Sequence, residues 1–369
     1  MMKRLAFFIM IILFTAGCGK DLSGLQQTKN LFSAASIVDN SQDVGEYTSL
    51  ALDSSGNPYI SYYNVTMQSL ELAVWSANKD AWIITAVDGG NGDDAGMFSS
   101  LSLNNGEPVI AYYDNTHGYL KLAIGSNSGF SISIVDGNSK DRVGGYASLS
   151  INKNDYPAIS YYDFTKGDLK FAQETVTGFN ITTVDFLGEV GLYSSLAFDQ
   201  NGNPAIAYYD ASNGALKFAH FTGSAWSITT VDGGNGDDEG RYASLALRGD
   251  GTPFISYYDA TNEQLKCAWY DNANKQWDIQ IVDPAQGVGT DTSIALDSYG
   301  YPHISYFDGV NGDLKYAWYN GVGWNIDVID GEGIVGLYSS LKLDKNNYAH
   351  ISYRDYTNKA LKYAVYRRL

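Results

Sequence analysis

Short apolar runs separated by polar turns fill the chain from about Leu31 to its end. The runs have four to seven residues, are rich in Tyr, Ile, Val and Thr, and are bounded by Gly, Asn, Asp or Pro. Such runs are typical of β-strands, and the 3.6-residue period of an amphipathic helix is missing from this part of the sequence. The pattern therefore predicts an all-β domain.

The predicted strands recur in a repeat of about 48 residues. Each copy contains, in order, Y-x-S-L-A-L, a D-x-x-G-x-P turn, I-S-Y-Y-D, L-K-Y-A and W-x-I-x-x-V-D. The copies start at seven anchor residues, which are Tyr47, Phe98, Tyr146, Tyr193, Tyr242, Asp291 and Tyr338. Four strands in each of seven copies, apolar or aromatic on both faces, predict a seven-bladed β-propeller with four antiparallel strands per blade.

The two ends of the repeat array indicate a closed ring. The seventh copy ends at Leu369 without a W-x-I-x-x-V-D strand, and a matching segment, FSAASIVD, occurs at 32–39. We expect this N-terminal segment to form the outermost strand of the last blade, so that 31–369 is one domain. Each blade then runs from Y-x-S-L-A-L at the channel to W-x-I-x-x-V-D at the rim.

The segment before the repeats is predicted to be an export signal. Lys3 and Arg4 precede ten apolar residues, about half of what a membrane-spanning helix needs. The sequence T-A-G-C, ending at Cys18, then resembles a bacterial lipobox. We expect a lipoprotein signal peptide at 1–17, a lipidated (palmitate-carrying) Cys18, and a tether at 18–30. The alternative is an ordinary secretory signal followed by a chance cysteine.

Composition excludes several classes of function. Of the 369 residues 44% are hydrophobic, which is ample for a packed core. Lys and Arg number 24 against 41 Asp and Glu, and the net charge of −17 argues against a nucleic-acid partner because phosphates would be repelled. Two cysteines cannot build a disulfide scaffold or a cysteine zinc site. Cys267 replaces an aromatic residue of the repeat and is expected to be buried and unreactive.

Two repeated aspartate positions carry much of the acidity. One ends the outer strand of each copy, and the other follows Y-Y, where the first copy has Asn64. Both are predicted to accept backbone N–H bonds in turns. A lysine follows the second aspartate by seven residues, and in the first copy Asn64 and Glu71 replace both together. We therefore expect these two side chains to form an exposed pair that sets register more than stability.

Candidate binding residues occur among the tyrosines and where the repeat is broken. The first Tyr of each Y-Y pair occurs in all seven copies and is expected to pack between blades. The second Tyr can pack there or stack on a sugar ring; these candidates are Tyr63, Tyr113, Tyr162, Tyr209 and Tyr258. Arg354 replaces the second Tyr of the last copy and Asp291 replaces the sixth anchor, so both are further candidates.

Two expanded linkers share the sequence D-G-G-N-G-D-D. Their carboxylates are candidate calcium ligands because Ca²⁺ prefers oxygen donors; they are Asp88, Asp93, Asp94, Asp232, Asp237 and Asp238. The spacing does not match D-x-[DN]-x-[DN]-G, so a solvated acidic loop is the alternative. No other cofactor is expected.

The repeat resembles bacterial extracytoplasmic propeller repeats of the broad sialidase-like and lectin-like type, over about nine tenths of the chain. The sialidase S-x-D-x-G-x-T-W box and R-I-P segment are missing from the sequence, and no catalytic residue is assigned. We expect a monomeric, non-enzymatic propeller at the outer membrane or cell surface. It would contact the membrane through its lipid only and bind a glycan or a protein of the cell envelope. The alternative is a carbohydrate-active enzyme, glycosidase or lyase-like, with carboxylates at the channel mouth.

Overall fold

The computed structural model describes residues 31–126 and 128–367, the first four of them by their backbone only. The predicted signal peptide, the lipidation site Cys18 and the tether lie outside the described residues. Every regular element within the described ranges is a β-strand. These ranges include no helix long and apolar enough to cross a membrane.

In the described residues, twenty-eight strands follow one another along the chain. The first is β1 Leu31–Asp39, which is followed by β2 Val44–Leu52, β3 Pro58–Asn64, β4 Ser69–Ser76 and β5 Ala81–Gly89. Next come β6 Ala95–Asn104, β7 Glu107–Asp114, β8 Tyr119–Ser126, β9 Gly129–Asp136, β10 Val143–Ile151, β11 Pro157–Asp163, β12 Asp168–Thr175 and β13 Gly178–Asp185. They continue with β14 Val190–Phe198, β15 Pro204–Asp210, β16 Ala215–Phe221, β17 Trp226–Gly233, β18 Glu239–Leu247, β19 Pro253–Asp259, β20 Gln264–Asp271 and β21 Gln276–Asp283. The last are β22 Val288–Leu296, β23 Pro302–Asp308, β24 Asp313–Tyr319, β25 Trp324–Asp330, β26 Val335–Leu343, β27 Ala349–Asp355 and β28 Ala360–Arg367.

The strands form seven antiparallel four-stranded sheets, which are the blades of a propeller. Blades 1 to 6 each contain four consecutive strands, from β2–β5 to β22–β25, and blade 7 has the order β26, β27, β28, β1. In blade 7, Leu31 lies opposite Arg367 and Asp39 lies opposite Leu361. The predicted seven-bladed fold and its closure by the N-terminal strand are therefore confirmed.

The hydrophobic core is divided among the seven junctions between neighbouring blades. At the junction of blades 4 and 5, for example, Leu216 packs in one cluster with Leu245, Ile255 and Tyr257. The first Tyr of every Y-Y pair is 0% exposed, which confirms its predicted packing role; these are Tyr62, Tyr112, Tyr161, Tyr208, Tyr257, Tyr306 and Tyr353. Cys267 is also fully buried, as predicted.

Glycine allows the blades to approach closely at each junction. Gly240 in β18 has a φ of +105°, and a Cβ there would lie 2.6 Å from the Cα of Leu216 in the preceding blade. A larger residue would both strain the backbone and separate the blades. This explains the glycine that stands two positions before each anchor residue.

Buried ion pairs also tie neighbouring blades together at six junctions. Between blades 3 and 4, Asp185 at the end of β13 accepts hydrogen bonds from Tyr208 Oη at 2.7 Å and Lys217 Nζ at 2.6 Å. Lys217 Nζ also lies 3.4 Å from a carboxylate oxygen of Asp210. Burial alone raises the pKa of Asp185, but the hydrogen bonds from Lys217 and Tyr208 outweigh it and leave the pKa lowered. Equivalent contacts are made by Lys121, Lys170, Lys266, Lys315 and Lys362.

The lysine and the aspartate after Y-Y are neighbours, as predicted, but the expectation that the pair is exposed was wrong. The side chain of Lys217 is 14% exposed and that of Asp210 only 2%. The neighbouring blade covers the pair, because its outer strand brings a second aspartate onto the lysine. Removing the lysine alone from such a pair would leave its carboxylates covered by protein without a cation, which is strongly destabilising.

The junction of blades 7 and 1 is built differently. Glu71 takes the place of the lysine and accepts a hydrogen bond from Asn64 Nδ2 at 2.9 Å. The positive charge comes instead from Arg354 of blade 7, which is salt-bridged to Glu46 and, at 2.8 Å, to Asp43 of blade 1. We call this the closing junction.

Candidate functional site

The seven anchor residues meet at one mouth of the central channel, where they line a cavity of about 230 Å³ that we call the funnel. All seven have a positive φ, between 51° and 57°. This left-handed conformation is uncommon for residues with large side chains. It coincides with shifts in strand register, as between Val44 and Ser49 in β2. The inner strands therefore bulge at the anchors.

The aromatic anchors form an incomplete circle around the funnel. Neighbouring ring centroids are 4.6–4.8 Å apart along the series Tyr338, Tyr47, Phe98, Tyr146, Tyr193 and Tyr242. Asp291 occupies the remaining position. Side-chain hydroxyls of the following blade hold several of the bulges: Ser99 Oγ, for example, donates to the carbonyl oxygen of Tyr47 at 2.8 Å. The funnel wall is thus fixed by contacts between blades.

Asp291 is the one anchor residue that has a carboxyl group. Burial raises its pKa to about 6, although hydrogen bonds from the Tyr338 backbone N–H and from Thr290 oppose the shift. Burial also raises the pKa of Tyr47 and of Tyr242 to about 12, so their hydroxyls stay protonated at neutral pH. A carboxyl group that titrates near neutrality among hydroxyl donors is suited to general acid or base chemistry.

The second Tyr of each pair lies behind the anchor of its own blade, with ring centroids 6.3–6.5 Å apart. Four of these residues are 2–6% exposed; they are Tyr63, Tyr113, Tyr162 and Tyr209. Their hydroxyls contact the next blade: those of Tyr63 and Tyr209 donate to aspartates at 2.7 Å, that of Tyr162 donates to Glu189 at 3.2 Å, and that of Tyr113 accepts from Arg142. They support the funnel wall from behind.

Tyr258 differs from these four. It is half-buried, and Gly287 stands where the next blade supplies a hydrogen-bonding side chain elsewhere. In the parts of the chain that the structure describes, its hydroxyl makes no hydrogen bond. Because Tyr258 packs against Tyr242, it lies on the same side of the funnel as Asp291.

Arg354 and Asp291 do not line the same cavity. Arg354 is 4% exposed and lies behind Tyr338, whose pKa is raised mainly by burial and is influenced by Glu46, Asp291 and Arg354. Glu46 and Asp291 both act electrostatically on Tyr47 as well. Asp291 lines the funnel, whereas Glu46 and Arg354 are not among the residues that line it. We call these three residues together the charged sector.

The candidate calcium ligands are engaged mainly in contacts between blades. Asp88 Oδ2 accepts hydrogen bonds from Tyr112 Oη at 2.6 Å and Lys121 Nζ at 3.0 Å, and Asp232 has the same type of partners. Asp94 and Asp238 accept the hydroxyls of second-Tyr residues, whereas Asp93 and Asp237 are exposed. Within 31–126 and 128–367, no three His, Cys, Asp or Glu side chains are arranged to hold a metal ion. Calcium at these linkers stays a prediction.

The sequence pointed to Asp291 and Arg354 but missed the aromatic anchors as funnel residues and Glu46 as part of the charged sector. The anchors carry one usable signal, which is the glycine always found two positions before them. Glu46 carries none, because its partner Arg354 is 308 residues away.

No family model matches the chain, and no curated protein sequence matches it. Several solved structures share its architecture. The polysaccharide lyase Uly1 has a TM-score of 0.58 at 8% identity, over 87% of this chain and 89% of that one. The α-L-arabinofuranosidase from Fusarium graminearum, bound to an iminosugar inhibitor, has a TM-score of 0.53 at 11% identity, over 91% and 98%. AofleA from Arthrobotrys oligospora has a TM-score of 0.53 at 12% identity, over 81% and 90%. At these identities the chain shares with them a propeller fold, and two of the three are carbohydrate-active enzymes.

Proposed function

We propose that the protein is a carbohydrate-active enzyme that works at the funnel, with Asp291 as its acid–base residue. One observation carries the proposal. Six of the seven anchors are aromatic, and the seventh is a carboxylic acid whose pKa burial raises to about 6. Asp291 departs from the aromatic pattern of the repeat and lies in the funnel at the centre of the ring. A titratable acid at such a place is best explained by a catalytic role.

The funnel walls suit the end of a glycan chain. Tyrosine rings stack on the apolar faces of sugars, and their protonated hydroxyls donate hydrogen bonds to sugar oxygens. The volume of about 230 Å³ is below the roughly 300–1,000 Å³ of sites for drug-sized ligands, so the funnel fits a single sugar unit. The remainder of the chain would lie outside, on the face of the propeller.

Glycosidic bond cleavage needs a proton donor at the leaving oxygen, which Asp291 would supply below about pH 6, where it is protonated. Water would add to the anomeric carbon as the protonated leaving oxygen departs, and a second carboxylate generally accepts the proton of that water. Glu46, salt-bridged to Arg354, is the other carboxylate of the charged sector. The net charge of −17 disfavours an anionic polysaccharide, so we propose hydrolysis of a neutral glycan rather than elimination from a uronate. The arabinofuranosidase and lyase with similar folds support a carbohydrate substrate.

The test compares the wild-type protein with Asp291→Asn on xylan, arabinan, galactomannan and laminarin, with release of reducing ends as the readout. We expect Asp291→Asn to lower turnover by about 100-fold or more, as for loss of a general acid. Wild-type turnover should fall as the pH rises through about 6, because the required protonated form of Asp291 is lost. Asp155→Asn is the matched control, since Asp155 also has a positive φ but lies in an exposed turn.

Wild-type protein that cleaves none of these glycans would contradict the proposal, as would an Asp291→Asn variant with unchanged turnover and pH profile. Binding without turnover is the second candidate function, and the single carboxylate among the anchors favours it. In that case calorimetry would detect a glycan complex with both proteins, while no product forms.

A further inference from the structure

We propose a second glycan-binding site, distinct from the funnel, in the groove between blades 4 and 5. The groove has a volume of about 380 Å³. Its walls are formed by Asp199, Phe218 and His220 of blade 4 and by Asp250, Tyr270 and Trp277 of blade 5. The proposed ligand is a neutral oligosaccharide.

The groove opens on the face opposite the funnel. Asp199 and Asp250 belong to the turns that follow the inner strands, whereas the anchors lie near the start of those strands. His220 and Tyr270 lie near the ends of the third strands, which reach the same face as those turns. A ligand here would not contact Asp291, so the inference does not depend on the proposed function.

Aromatic side chains form an angled wall in the groove. The ring of Trp277 meets that of Phe218 at 5.5 Å and 73°, and that of Tyr270 at 5.5 Å and 72°. His220 stacks parallel to Phe218 at 6.4 Å. All four side chains are half-buried and therefore keep part of their surface open to the groove. Such a surface suits a sugar, whose faces are apolar and whose edges carry hydroxyls.

Polar groups surround this wall and are held in place. Asp199 accepts backbone N–H bonds from Asn201 and Asn203, both at 2.8 Å, and contacts His220 Nε2 at 3.1 Å. Asp250 is salt-bridged to Arg248 at 2.6 Å. Carboxylates and imidazoles can bind the hydroxyls of a sugar, and a fixed site loses little entropy on binding. Two carboxylates beside the groove favour a neutral ligand over a uronate or a sulfated chain.

Side chains bridge the corresponding turns at several other junctions. Asn104 of blade 2 donates to the Asp155 carbonyl oxygen of blade 3 at 2.8 Å, and Lys153 of blade 3 donates to the Asn201 carbonyl oxygen of blade 4 at 2.7 Å. Arg248 of blade 5 lies against blade 6, where a Cβ on Gly300 would meet its Cδ at 2.6 Å. A side-chain pair, Asn347 and Ser298, connects blades 7 and 6 at 2.9 Å beside a smaller cavity of about 280 Å³. Between blades 4 and 5 the same space forms the larger, open groove.

The test uses tryptophan emission, because the groove contains Trp277 and the residues lining the funnel include no tryptophan. The probes are xylohexaose, laminarihexaose and mannohexaose, with trigalacturonate as the anionic comparison. We expect at least one neutral probe to change the emission and trigalacturonate to leave it unchanged. Trp277→Phe should remove most of this signal while calorimetry still detects binding.

Thr229→Arg tests the location of the site, because Thr229 is exposed and lines the groove. We expect the substitution to weaken binding by about tenfold or more. Thr182→Arg is the matched control, since Thr182 holds the same position in blade 3 and is also exposed. His220→Gln, which introduces the residue that blade 3 has there, should also weaken binding. The inference is overturned if no neutral probe changes the emission, or if the two arginine variants bind alike. Turnover at the funnel should be unchanged in Thr229→Arg, which separates this outcome from failure of the proposed function.

Discussion

Six junctions of the ring contain a largely buried lysine, and the closing junction contains a buried arginine at a different place. At the junction of blades 3 and 4, Lys217 lies between aspartates of both blades, in the interior of the ring wall. At the closing junction Glu71 fills that position, and the cation is Arg354, next to the funnel. Each junction thus keeps one largely buried cation, which lies inside the ring wall at six junctions and behind an anchor of the funnel at the closing junction.

The altered cation position helps explain why the funnel is asymmetric. Asp291 of blade 6, Arg354 of blade 7 and Glu46 of blade 1 come from three consecutive blades, whereas the anchors of blades 2 to 5 are all aromatic. In blade 5 the position of Glu46 is held by Arg241, which acts electrostatically on Tyr193 and Tyr242. A symmetric ring would present the same surface in every direction. The charged sector therefore makes one side of the funnel region charged, while the other side is aromatic.

Removing the lysine of an ordinary junction should have the largest effect on stability. We expect Lys217→Met to lower the free energy of unfolding by about 3–5 kcal/mol, because Asp185 and Asp210 would stay buried without their cation. Urea unfolding at pH 7 measures the change. Lys166→Met, in an exposed loop, is the control and should have little effect. A loss below about 1 kcal/mol for Lys217→Met would mean that the buried pair contributes no more than a surface pair.

Removing the cation of the closing junction should have a smaller effect. Arg354→Met leaves Glu46 without its cation, whereas Asp43 keeps the exposed Lys359 at 3.1 Å. The side chains of Asp43 and Glu46 are 21% and 24% exposed and can be partly hydrated. We expect a loss of about 1–3 kcal/mol, measured by the same unfolding experiment. Arg354→Tyr should lose less, because a tyrosine hydroxyl there can donate to Asp43 as Tyr63 donates to Asp94. Equal losses for the two variants would show that the hydrogen bond to Asp43 is unimportant.

The smallest effect is expected from converting the closing junction into an ordinary one. The double variant Asn64→Asp, Glu71→Lys would place a lysine beside Asp39, which accepts hydrogen bonds from Tyr62 Oη and from the Ser41 backbone N–H. We expect a gain of about 1 kcal/mol in the free energy of unfolding. The single variant Asn64→Asp should destabilise, because it puts two carboxylates side by side. A double variant less stable than the wild type would show that the closing junction depends on Glu71 itself.

The sequence revealed the strand order, the closure and the buried first tyrosines because seven copies repeat the same signal. It did not reveal features that depend on neighbouring blades. Lys217 was expected to be exposed, since its second aspartate, Asp185, comes from the preceding blade. The left-handed conformation of Tyr47 and the open groove around Trp277 also depend on contacts with a neighbouring blade. Asp291 and Arg354 could be identified because each interrupts the repeat, but their surroundings could not.

The closure by β1 has a consequence for the order of folding. The Ser36 hydroxyl, for example, bonds the carbonyl of Tyr363, 327 residues away, whereas strands in blades 1 to 6 pair with their neighbours along the chain. Those six blades can form while the chain is being made. Blade 7 is complete only when β1 pairs with β28, and this pairing closes the longest loop in the molecule, so it carries the largest cost in loop-closure entropy. Until then β28 presents an unpaired edge to which another copy's β1 can add. The interval between synthesis of β28 and docking of β1 is therefore when the chain is most exposed to strand exchange and aggregation.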